Sequence, residues 1–221
     1  MLFWMRSAGL AVMLLRSRRY VNEVCVRSVR RYLTSRNTDD ISMLPVIALD
    51  VSPIRLALAR HNAALYGVEE RIEFILADFF SFARTLKQRP GRKIDVVFLS
   101  PPWGGPSYLS ASPSKTPSSS VYPATGDTPE ESYADYSLSS VRPVHGAELF
   151  KIARGITKNI AYFLPRNASL EELSALVAPG GTSSTESEKI EVEEEWMGSK
   201  LKALTCYFGG LVAGQEHMFN A

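Results

Sequence analysis

From Pro45 onward the chain alternates short, continuous apolar runs with stretches of helical period. Val46–Asp50 (VIALD) is apolar up to a closing acid, the pattern of a strand buried on both faces of a parallel sheet. The next stretch, VSPIRLALARHNAALYG, offers Ser52 as a helix N-cap, Pro53 at the first helical position, and Gly67 to close the helix in a left-handed conformation. Its Ile54, Leu58 and Leu65 share a face. RIEFILAD (71–78) reads as a second strand that also ends in an acid, FFSFARTLKQ as a short helix broken by PGRK, and IDVVFLS (94–100) as a third strand. Strand–helix–strand–helix–strand order implies a parallel sheet with right-handed crossovers. GAELFKIARGIT (146–157) returns to helical spacing, and KNIAYFLP (158–165) is a fourth strand. SLEELSALVA (169–178) is a helix with Ser169 and Glu172 at capping-box spacing. KIEVEEEWM and KLKALTCYFGGLV flank Gly198-Ser199, which predicts a hairpin. The expected fold class is therefore α/β, a mostly parallel sheet completed by a C-terminal antiparallel hairpin.

Two segments break this rhythm. Residues 1–44 are Arg-rich and start apolar, but the run Ser7–Leu15 is too short to span a bilayer. They read either as an N-terminal extension without a dedicated role or, by their Arg and Ser content, as similar to a mitochondrial transit segment. Residues 107–132 are dominated by Ser, Thr and Pro, too polar to order themselves, and are expected to be a mobile insertion within a domain spanning 45–214. Charge follows the same division. Residues 1–45 hold eight arginines, no lysine and three acids, while the remainder holds 17 basic and 20 acidic residues. The body is thus no bulk polycation, and any nucleic-acid contact must be local. Cys25 and Cys206 make no disulfide framework or zinc spacing, and His61, His145 and His217 form no metal-ligand pattern, so no metal is expected.

In open parallel sheets ligands sit beyond the carboxyl ends of the strands. Asp50, Asp78, the run Ser100 to Gly105 (SPPWGG) and Pro165-Arg166-Asn167 all fall there. A carboxylate can accept two hydrogen bonds from a vicinal diol, which suits Asp50 to a ribose; Asp78 could accept one from an adenine amine. The alternative for each is an ordinary capping or turn aspartate. The Ser-Pro-Pro-Trp loop is the sharper signal. Prolines fix backbone carbonyls rigidly, a carbonyl can hold the hydrogens of an amine, and tryptophan stacks on a flat ring, best on a cationic one. The alternative for Trp103 is a structural side chain covering the sheet edge.

These elements resemble the class I (Rossmann-like) S-adenosylmethionine-dependent methyltransferases, and Asp/Asn/Ser-Pro-Pro-aromatic is the general pattern of the amino-methyltransferases. VIALDVSPIRLALARHNAALYGVEERIEFILADFF, IDVVFLSPPWGGPSY, ITKNIAYFLPRN, LVAPGG and KLKALTCYFGGLV together resemble the trimethylguanosine synthase family of RNA cap guanosine-N2 methyltransferases. The resemblance implies methyl transfer from S-adenosyl-L-methionine to the exocyclic N2 amine of a 7-methylguanosine cap, towards 2,2,7-trimethylguanosine. It implies that Ser100, Pro101 and Trp103 carry the reaction, with Trp103 stacked on the cap base. Asp50 would hold the cofactor ribose and Asp78 its adenine, with Ser100 close to both ligands. Arg166 and Asn167 would sit near the cap, with Arg166 suited to a phosphate. The implied partners are capped RNAs of the snRNA and snoRNA class, bound by a monomer with no membrane and no metal. The implied compartment is the nucleus, the nucleolus included, with the cytoplasm as the alternative.

One departure counts against this. The family carries a Gly-rich loop after its first strand, roughly 20 residues before the ribose acid. Here Gly9 is the only glycine before Gly67, and Cys25–Ser35 reads CVRSVRRYLTS. The first strand and its loop are therefore expected to be missing or replaced. That leaves a truncated, catalytically impaired relative that only binds capped RNA as the alternative. A DNA or protein amino-methyltransferase is a third reading, disfavoured by SPPWGGP in place of NPPY.

Overall fold

The computed structural model describes residues 11–14, 46–88, 93–103, 135–177 and 188–212. Seven strands form one sheet: β1 (Ala11–Leu14), β2 (Val46–Asp50), β3 (Ile72–Leu76), β4 (Val96–Leu99), β5 (Ile160–Pro165), β6 (Glu191–Met197) and β7 (Lys200–Phe208). Their order is β3-β2-β1-β4-β5-β7-β6. The first five run parallel, and β7 pairs antiparallel with both β5 and β6. The order reverses between β1 and β4, so the crevice used by ligands in such sheets opens there.

Helices α1 (Pro53–Leu65), α2 (Phe79–Gln88), α3 (Gly146–Arg154) and α4 (Leu170–Ala175) connect the strands. The helix signals read from the sequence act as expected in α1. Ser52 Oγ accepts the Arg55 amide, Pro53 opens the helix, and Gly67 follows it at φ +67°. Two cores lie on opposite faces of the sheet. One gathers Ile47, Leu49, Val97, Leu99, Tyr162 and Leu164 with Phe79 of α2, Phe150 of α3 and Leu173 of α4. The other joins Ala48, Val96, Phe98, Ala161, Phe163 and Tyr207 to Leu56 of α1 and Leu211. β4 and β5 are buried throughout, which is why they read as unbroken apolar runs.

The structure refines three expectations. First, of the two outcomes expected for the first strand, missing or replaced, its position is occupied. Ala11–Leu14, within the segment set apart as 1–44, fills the centre of the sheet, with Leu14 paired to Leu49 and Met13 to Phe98. Four apolar residues are enough for a strand flanked on both sides, and periodicity alone does not identify so short a run. Second, Ile54, Leu58 and Leu65 face outward; α1 buries Leu56 and Ala63 instead. The small side chain of Ala63, with partly buried Ala59 beside it, forms a narrow stripe that lets the helix lie close to the sheet. Third, the capping box at α4 is only half made. Ser169 Oγ accepts the Glu172 amide, but the Glu172 carboxylate accepts the Leu138 N–H instead of reaching back to Ser169. The expected insertion 107–132, Cys25 and His217 lie outside the described residues.

Candidate functional site

Strand register sets the heights of the candidate residues. Met13 of β1 is paired with Ala48 on one side and Phe98 on the other. Asp50 and Ser100 each stand two residues further on, at one level, and flank the carboxyl end of β1. Neighbouring strands lie 4.7–4.9 Å apart, so the two residues are roughly 10 Å apart across the crevice. Residues two apart on a strand share a face, so both lean towards the side of Ala48 and Phe98.

On the β2 side, Asp50 is 6% exposed. Its Oδ1 accepts the Ser52 amide at 2.7 Å, and Arg55 Nη1 lies 3.4 Å from Oδ1 and 3.2 Å from Oδ2. The backbone carbonyl of Asp50 accepts the Ala77 N–H, which brings the end of β3 alongside. Asp78 caps α2, with Oδ2 accepting the Ser81 amide at 2.9 Å. The capping role weighed for this aspartate is thus real, and its Oδ1 has no partner among the described residues, so a second role is open to it.

On the β4 side, Ser100 is 4% exposed, and its Oγ is buried with no hydrogen-bond partner among the described residues. Burying a hydroxyl without a partner costs about 1–3 kcal/mol, which makes Ser100 a candidate to meet a ligand. Pro101 is buried and Pro102 exposed. Trp103 is half-buried, less open than the loop sequence suggests. Its indole N–H donates to the Phe163 carbonyl at 3.2 Å, and the two ring centroids lie 5.0 Å apart. Trp103 is therefore tied to β5 by one edge. Arg166 and Asn167 follow β5 at the same end of the sheet. The Arg166 guanidinium points towards the Leu201 carbonyl of β7 at 3.5 Å, the outer limit of a hydrogen bond.

The strap 135–142 ties the Trp103 loop to the Arg166-Asn167 loop, a feature not visible in the sequence. The Tyr136 amide donates to the Asn167 carbonyl and its own carbonyl accepts from Ser169, forming an isolated parallel bridge to Ala168. At the other end the Arg142 amide donates to the Pro102 carbonyl at 3.3 Å. Leu138 is held between these points by the Glu172 carboxylate and is fully buried. The Asp50 partner Arg55, the Trp103 partner Phe163 and the Leu138 contact of Glu172 are likewise not visible in the sequence: the last two span 60 and 34 positions, and the first needs the turn between β2 and α1. Among the described residues no cluster of His, Cys, Asp and Glu is placed to hold a metal ion.

Comparison with known proteins places this geometry. The profile of a family described as RNA cap guanine-N2 methyltransferase matches residues 37–113 and 123–211. The trimethylguanosine synthase of Schizosaccharomyces pombe is 36% identical over 132 residues, 59% of this chain and 46% of that protein. The trimethylguanosine synthase of Saccharomyces cerevisiae is 30% identical over 131 residues, 58% of this chain and 34% of that protein. The chain thus aligns with less than half the length of either relative. Among solved structures, a SAM-dependent methyltransferase from Agrobacterium tumefaciens superposes with a TM-score of 0.54 at 13% identity, over 93% of this chain and 57% of that one, and so shares the fold. On the family match, supported by the strand order and the Ser-Pro-Pro-Trp loop, this chain belongs to the RNA cap guanine-N2 methyltransferase family.

Proposed function

We propose that this chain binds S-adenosyl-L-methionine and a 7-methylguanosine RNA cap across the β1/β4 crevice and methylates the exocyclic N2 amine of the cap. The carrying observation is the Ser100–Trp103 loop: a buried hydroxyl with no partner among the described residues, two prolines, and a tryptophan anchored to β5. The strand ends fit the cofactor. Asp50 keeps a lone pair on Oδ2 for a ribose hydroxyl, and Asp78 keeps Oδ1 for an adenine amine. When bound, the cofactor supplies a sulfonium-activated methyl group.

The protein's task is then mainly positioning. Trp103 offers its ring to the cationic base, an interaction worth about 2 kcal/mol or more when desolvated. Ser100 Oγ and the Pro101 carbonyl accept the amine hydrogens, which aims the nitrogen lone pair along the line of displacement. The Pro102 carbonyl is already taken by the Arg142 amide, so the loop presents Pro101 rather than Pro102 to the amine. Arg166 and Asn167 lie on the β5 side, where the cap phosphates would run, and a guanidinium suits a phosphate there. No covalent intermediate on the enzyme is needed, and the methylated amine releases its proton to water. The proposal extends, on the family resemblance, to snRNA and snoRNA caps and hence to the nucleus.

The test compares binding of m7GpppG and GpppG to the wild-type chain and to Trp103→Ala, with S-adenosylhomocysteine affinity measured alongside. The reading predicts tighter binding of the methylated cap, about thirty-fold weaker in Trp103→Ala, with S-adenosylhomocysteine affinity unchanged. Equal affinity of the variant and the wild type for m7GpppG would remove Trp103 from the cap site.

A further inference from the structure

The proposal above leaves one charged side chain at the site without a role. Arg55 lies in the first turn of α1, which holds no acidic residue. A cation there opposes the positive end of the helix dipole, so something else must favour it. What it meets is the Asp50 carboxylate, whose side chain is 3% exposed while that of Arg55 is 45% exposed. A carboxylate so far withdrawn from water needs a counter-charge and hydrogen bonds. Arg55 supplies the counter-charge, and the Ser52 amide supplies the short bond at 2.7 Å.

The bonds are unevenly shared. Among the described residues, Oδ1 takes the Ser52 amide and the longer Arg55 contact at 3.4 Å, while Oδ2 takes Arg55 alone at 3.2 Å. Both Arg55 contacts exceed the 2.7–2.9 Å usual for charge-assisted pairs. The guanidinium therefore fixes the carboxylate plane without saturating it, and a lone pair on Oδ2 stays available.

We infer that Arg55 is a positioning residue for cofactor binding: it compensates and orients Asp50 so that Oδ2 can accept from the ribose diol. This rests on the ribose role proposed for Asp50. Arg55 acts through Asp50 and touches neither methyl group nor cap.

The experiment is a double-mutant cycle on S-adenosylhomocysteine affinity, measured by calorimetry with the full chain, using Arg55→Met, Asp50→Asn and the double variant. Thermal unfolding checks that each is folded, and Arg55→Gln serves as a second variant at the same half-exposed position. Arg55→Met is expected to weaken binding about ten-fold in the wild-type background and not at all once Asp50 is Asn. Arg55→Lys, which keeps the charge, is expected to restore most of the affinity. If Asp50→Asn alone binds as well as wild type, the ribose reading fails and this inference falls with it. If Asp50→Asn weakens binding but Arg55→Met does not, only the positioning role is overturned. The same holds if Arg55→Met weakens binding equally in both backgrounds.

Discussion

At the scale of single residues, the informative atom is Ser100 Oγ. It is buried at a strand end and has no hydrogen-bond partner among the described residues. Ser100→Ala should therefore leave stability within about 0.5 kcal/mol of wild type or raise it slightly, because no described residue bonds the hydroxyl. The same change should lower methyl transfer, because the hydroxyl is proposed to hold the amine. Denaturant unfolding together with initial rates tests both halves. A loss of several kcal/mol would show that the hydroxyl serves the fold instead. Residues of this kind were legible in the sequence. A polar residue that closes an apolar run falls at the carboxyl end of a parallel strand, so Asp50, Asp78, Ser100 and Arg166 could all be placed without coordinates. What they touch was not legible. The pairing of Asp50 with Arg55 follows from one helical turn folding back over a strand end, and the anchoring of Trp103 to Phe163 from the pairing of β4 with β5.

Among the elements, the strap 135–142 ties the Trp103 loop to the Arg166-Asn167 loop. Its backbone reaches Asn167 at one end and Pro102 at the other, and Glu172 holds its middle through the Leu138 amide at 2.6 Å. Glu172→Ala would strand a buried N–H and should cost about 1–3 kcal/mol. It should also raise KM for the capped substrate while S-adenosylhomocysteine affinity stays unchanged, because the strap's described hydrogen bonds run to the loops after β4 and β5 and to α4. Unchanged KM in a folded variant would mean that the strap is scaffolding alone. The sequence shows Ser169 and Glu172 at capping-box spacing, but not that the carboxylate would be recruited by a segment thirty-four positions earlier. The shared face of Ile54, Leu58 and Leu65 is legible in the sequence, but which face of α1 meets the sheet is not: close approach favours the stripe of Leu56 and Ala63. Far from the site, Gly209 closes β7 at φ +68°, and a Cβ there would collide with the Lys158 carbonyl. Gly209→Ala should lower stability, read by denaturant unfolding, by more than the roughly 1 kcal/mol of an ordinary glycine replacement. A neutral result would mean that the turn relaxes freely.

For the molecule as a whole, the sheet order and the buried core set two properties. Burial pushes the Cys206 thiol up from 9.0 to about 12 and raises the Tyr162 phenol above its ordinary 10.0. Both groups stay neutral in the folded state while the unfolded chain ionises. Stability is therefore full below about pH 9 and falls as pH rises beyond it, by about 1.4 kcal/mol per pH unit for each such group. Urea midpoints measured from neutral to strongly alkaline pH test this, and a flat profile would contradict it. The parallel order and the terminal hairpin could be read from alternating apolar runs and helix signals, since each strand announces itself by burial. The central strand could not, because Ala11–Leu14 lies beside an Arg-rich stretch and lacks the glycine-rich loop that would mark it. The fold thus supplies the strand between Asp50 and Ser100, the two sides of the proposed site. The most direct test is incubation of the purified 221-residue chain with S-adenosyl-L-methionine and m7GpppG, with the product read by mass. The proposed reaction gives a product heavier by one or two methyl groups, located on N2 of the methylated guanine. No product from soluble, folded protein would contradict it.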